Sequence, residues 1–133
     1  MGNVNMTQEI LMEKYPVVSM ELSKDEIEQE SVDAILEYLS SCIENDPIAA
    51  FIGLFDHYSH TKQLGGEIAP EILDAKNIVF CFGQKIPNPK ILAVRPRSIG
   101  VVEKAESFVI SLMEAPNEPM HRKMEDWVKA LKK

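Results

Sequence analysis

The chain has 133 residues, 45% hydrophobic and 26% charged, which is enough for one domain with a core of its own. Its net charge of −7 argues against nucleic acid as a partner, and no run of about eighteen apolar residues offers a membrane span. Cys42 and Cys81 lie in apolar patterns with no C-x-x-C pair, which points to reduced thiols in a cytoplasmic protein, not a disulfide framework or a zinc ribbon.

Residues 1–14 lack the basic and apolar regions of a secretory signal. Met6 stands where a myristoylation motif wants Ser or Thr. Thr7 could cap a short helix bearing Ile10 and Leu11; a flexible tail is the other reading. Residues 15–133 read as a single α/β sandwich domain. Tyr15 to Leu22 reads as a strand, and Ser23-x-x-Glu26 as a capping box. The helix after it places Val32, Ile35, Leu36, Leu39, Cys42 and Ile43 on one face and ends at Pro47. Ile48 to Phe55 is apolar on both parities and reads as a central strand.

A polar loop or short helical turn follows through Gly65-Gly66, and Lys76 to Gly83 is a strongly apolar strand. Gln84 to Pro96 is a loop with prolines at 87, 89 and 96. Ser98–Glu103 and Glu106–Met113 read as strands joined by a tight turn at Lys104-Ala105. Pro119 sits in the first turn of a last helix, on which Met120, Met124, Trp127, Val128 and Leu131 form a stripe. Its methionines suit core packing better than metal ligation. The order β-α-β-β-β-β-α predicts an α+β two-layer sandwich: a mainly antiparallel sheet with two helices on one face.

From Ile48 onward the chain resembles the family called domain of unknown function 302. The resemblance rests on "FDH" at Phe55–His57, "IAPEIL" at Ile68–Leu73, "VFCFG" at Val79–Gly83 with Asn88-Pro89 after it, and "RPRSIGVVE" at Arg95–Glu103. Gln84 to Pro87 intervene where that family has Asn-Pro almost directly after the glycine. The resemblance implies a two-layer fold often assembled as dimers, and no established activity. It lends Asp56, His57, Gly83, Asn88 and Pro89 as pocket candidates.

The residues themselves add a charge argument. Lys76, Lys85, Lys90, Arg95, Arg97 and Lys104 face only Glu103 within their segment, a local balance of +5 in a chain whose remainder carries −12. Arginine binds carboxylate or phosphate through two parallel hydrogen bonds, so the Gly83–Arg97 loop is a candidate anion site, against the plainer reading of a proline-stiffened surface loop. His57 and His60 in H-x-x-H spacing share a face only if the segment is helical. Asp56, Glu67 or Cys81 would then have to supply a third ligand. The spacing matches no strong zinc signature, and neither a metal nor a cofactor is expected.

Three functions follow. The first is a small cytoplasmic homodimer that binds a small anion or an acidic partner at one end of the sheet, where His57 and the Gly83–Arg97 loop would meet. The second is an enzyme using His57 with Asp56 or Cys81, with or without a metal. The third is an assembly subunit that associates through an edge strand or the Met/Trp helix.

Overall fold

The computed structural model describes residues 6–133. It has six strands and three helices: β1 Thr7–Leu11, β2 Tyr15–Ser23, α1 Val32–Asn45, β3 Ala50–Phe55, α2 His57–Gln63, β4 Asp74–Cys81, β5 Arg97–Glu103, β6 Ser107–Met113 and α3 Glu118–Lys129. The strands form one sheet in the order β1-β2-β6-β5-β4-β3, antiparallel at every pair. This is the α+β architecture read from the sequence, with one strand more.

The extra strand replaces the helix or tail expected near Thr7. Met12 and Glu13 both take positive φ, 53° and 62°, and the Lys14 N–H donates to the Leu11 carbonyl. The connection is a three-residue loop, Met12 to Lys14, built without the glycine or asparagine that usually takes positive φ in a hairpin. The reading fails there because Met and Glu disfavour the left-handed region that the turn imposes on them.

Alternation places the core. Val18, Met20 and Leu22 of β2, Ile78 and Phe80 of β4, Ile99 and Val101 of β5, and Phe108, Ile110 and Leu112 of β6 are all buried on one face. Val32, Ile35, Leu36, Leu39 and Ile43 of α1 cover that face, with Met124 and Val128 of α3. Ser31, not Ser23, caps α1, accepting from the Ala34 N–H at 3.0 Å. The Ser23/Glu26 capping box does form, but it closes a single 3-10 turn. Tyr38 Oη donates to the Trp127 carbonyl at 2.6 Å and ties the two helices together. The α3 stripe is therefore spent inside this chain, with Met124 and Val128 buried and Trp127 packed on the core, and is not a free self-association surface.

β3 departs from the reading more sharply. It pairs only with β4 and lies at the edge, not at the centre. Its apolar residues on both parities are not answered by the chain's own layers: Phe51, Ile52, Leu54 and Phe55 remain 44%, 55%, 57% and 41% exposed. Apolarity on both faces is the pattern of a covered strand, but it does not fix the strand's place in the sheet.

Candidate functional site

Antiparallel pairing fixes which strand ends meet. Phe55, the last residue of β3, lies opposite Asn77 near the start of β4, whereas Ala50 lies opposite Cys81 at its end. Four residues of β4 separate those two levels, about 13 Å of strand. Asp56 and His57 therefore sit at one end of the sheet, and Cys81, Gly83 and the loop to Arg97 at the other. The expectation that His57 and the Gly83–Arg97 loop form one site is corrected by the register itself, and so is the pairing of His57 with Cys81.

The histidine end is a set of mutually satisfied groups. Asp56 caps α2, accepting from the Ser59 N–H and hydroxyl at 3.0 Å each. Those bonds, with the Lys76 charge added, hold its carboxyl below the usual range. Lys76 Nζ lies 2.7 Å from Asp33 and 3.9 Å from Asp56, and its pKa is raised chiefly by the bond to Asp33. The rings of His57 and His60 lie 5.3 and 5.4 Å from that of Phe55 and are exposed. His57 Nδ1 faces the Thr61 hydroxyl at 3.3 Å. The two histidines do share one side of a helix, but no cluster of three metal-binding side chains occurs among the described residues. The hollow here is small, about 170 Å³.

The loop end is built differently. A cleft of about 500 Å³ opens between the 83–97 loop, the link from β6 to α3, and the first turn of α3. Its basic lining is Lys85, Arg95 and Arg97, its apolar walls include Phe82, Ile91, Val94 and Met120, and no carboxylate lines it. Arg97 reaches inward: its Nη2 donates to the carbonyls of Met113 and Glu114 at 2.6 and 2.9 Å, and its Nη1 to that of Val94 at 3.2 Å. It has no acidic partner among the described residues, its Nε is buried without a hydrogen bond, and burial lowers its pKa.

Arg95 Nη1 donates to the Lys85 carbonyl at 2.7 Å and crosses directly over Gly83. A Cβ at Gly83 would meet Arg95 Nη1 at 2.7 Å, Arg95 Cζ at 3.0 Å and Cys81 Sγ at 3.2 Å, so this position has to be glycine for the guanidinium to lie there. The Gly83 N–H in turn donates to Cys81 Sγ at 3.2 Å.

Asn88 and Pro89 do not line the cleft. The Asn88 side chain accepts from the Lys90 N–H at 2.9 Å and shapes the loop behind it. Below the cleft, Phe82 stacks on Trp127 with centroids 5.6 Å apart, and Lys123 Nζ lies 5.7 Å from the Phe82 centroid. Lys123 also meets Asp46 at 2.6 Å, and Asp46 accepts from the N–H groups of Ile48 and Ala49. Burial pushes the Asp46 carboxyl up, but these bonds outweigh it and hold it low.

One residue absent from the sequence reading is His121. Its Nδ1 accepts from the Ala115 N–H at 3.3 Å and its Nε2 lies 2.9 Å from Glu125, a geometry that selects the tautomer with the proton on Nε2. An acidic hollow of about 630 Å³ surrounds it, next to the loop-end cleft. The i, i+4 spacing of His121 and Glu125 on a helix was the available signal.

A family model described as a family of unknown function, DUF6858, matches residues 6–133. The chain belongs to that family. No curated protein and no solved structure matches it. The resemblance to domain of unknown function 302 is thereby overturned, and the structure explains how the short motifs misled. The Asp-His step is a helix cap after a strand, and the glycine after "VFCF" is a crossing point for Arg95. Both are local solutions to leaving a strand, open to many families. For DUF6858 no activity is described.

Proposed function

We propose that this DUF6858 chain is a small cytoplasmic homodimer that binds a small organic anion in the loop-end cleft. The observation that carries the reading is the lining: three cations and no carboxylate around about 500 Å³, in a protein of net charge −7. Lys85 makes no salt bridge among the described residues, and Arg95 keeps donors beyond the one spent on the Lys85 carbonyl. The apolar walls favour an anion with a hydrophobic body, a carboxylate rather than bare phosphate.

The cysteines support a reducing compartment, since Cys42 and Cys81 are unpaired. No helix among the described residues is long and apolar enough to cross a membrane, and the acidic balance speaks against nucleic acid.

Melting temperature in the presence of benzoate and of inorganic phosphate tests the reading. Benzoate should raise it for the wild type and not for the Lys85→Ala/Arg95→Ala double variant. An equal response from both proteins, or none from the wild type across a panel of carboxylates, removes the proposal.

A further inference from the structure

We infer that β3 is the homodimer interface: a second copy of this chain adds its own β3 antiparallel across a two-fold axis and makes one continuous sheet. The inference rests on the homodimer reading above and names its surface.

Two observations of different kinds meet on this strand. The first is topological. β3 hydrogen-bonds only to β4, so its outer row of N–H and C=O groups has no backbone partner among the described residues. The second is chemical. "AFIGLF" carries no charge and no proline, and four of its six residues are large, apolar and exposed on both faces. Natural edge strands are guarded against pairing by charges, prolines, shortness or bulges, and of these β3 has only the register irregularity between Phe51 and Gly53. The opposite edge follows that rule: β1 has five residues and presents Gln8 and Glu9. β3 has the composition of a central strand in the position of an edge, and a partner strand removes the contradiction.

A second copy is the occupant the strand fits. Antiparallel pairing of β3 with itself is self-complementary, as a two-fold interface requires. The uncharged strand also lets two chains of net charge −7 meet without opposing carboxylates along it. The four exposed side chains present on the order of 350 Å² of apolar surface per copy, and edge-to-edge pairing covers the part that faces the partner strand while sheet hydrogen bonds join the two backbones.

Sedimentation velocity of the full chain at about 50 µM tests this, because self-association depends on protomer concentration. The wild type should sediment as a dimer. Ile52→Lys and Leu54→Lys should each weaken the dimer at least about tenfold. Ile10→Lys, at the equally exposed β1 edge, should leave it intact. Circular dichroism confirms that each variant is folded, and Leu54→Ser replaces any lysine variant that is not. A wild-type monomer overturns both the inference and the homodimer reading. A dimer that survives the β3 changes, or that Ile10→Lys disrupts, overturns the interface alone. Benzoate binding is scored separately in each protein, so loss of the cleft reading leaves this result standing.

Discussion

The two ends of the sheet carry similar residue types and use them in opposite ways. At the histidine end the central charges have local answers: Lys76 meets Asp33, and Asp56 caps α2. At the loop end Lys85, Arg95 and Arg97 share a cleft with no carboxylate, and the arginines lean on backbone carbonyls. Carbonyls orient a guanidinium but leave its charge uncompensated. A cation answered by a carboxylate belongs to the fold, whereas cations gathered without one are available to a ligand.

The largest effect separating the two ends should come from Arg97→Ala. It removes hydrogen bonds to two carbonyls at the end of β6, Met113 and Glu114, and to the Val94 carbonyl in the loop, and should cost about 3 kcal/mol in urea unfolding. If the loss is below about 1 kcal/mol, Arg97 is not the anchor of the cleft.

Asp46→Asn comes next, because Asp46 braces the floor of the cleft through Lys123. A loss of about 1–2 kcal/mol is expected at pH 7. The folded carboxyl is held low, so its contribution is fully present above the unfolded value of about 3.9 and disappears as the pH falls through the folded value. The stability gap between wild type and variant should therefore narrow as the pH drops below about 4. A gap that stays constant down to about pH 2 contradicts the assignment.

Gly83→Ala should cost little stability, under about 1 kcal/mol, and should weaken benzoate binding, because the new methyl displaces the flexible end of Arg95 from the Lys85 carbonyl. Unchanged binding would show that the anion does not need Arg95 at that place.

The smallest effects belong to the histidine end. Asp56→Ala should lower the melting temperature slightly through loss of the α2 cap, and His57→Ala/His60→Ala should change neither stability nor anion binding measurably. A loss of benzoate binding in either variant would erase the distinction between the ends.

Much of this was legible in the sequence because it depends on periodicity. The face of α1 from Val32 to Ile43 and the alternation from Phe108 to Leu112 each fix an element and its buried side. The basic loop was legible as composition, since Lys85, Arg95 and Arg97 fall within thirteen residues. What escaped depends on pairing. No local signal states that β3 runs antiparallel at an edge, so none separates His57 from Cys81 or leaves Phe51 to Phe55 uncovered. The turn at Met12-Glu13 escaped for the opposite reason, because its conformation runs against the preference of its own residues.

The central claim is that the loop end, not the histidine end, receives an anion. Backbone amide shifts of the isotopically labelled chain, followed during a benzoate titration, test it most directly. The account predicts saturable changes confined to residues 82–97 and 115–120, with the amides of Asp56 to Thr61 unmoved. Changes centred on Asp56 to Thr61, or no saturable change anywhere, would contradict it.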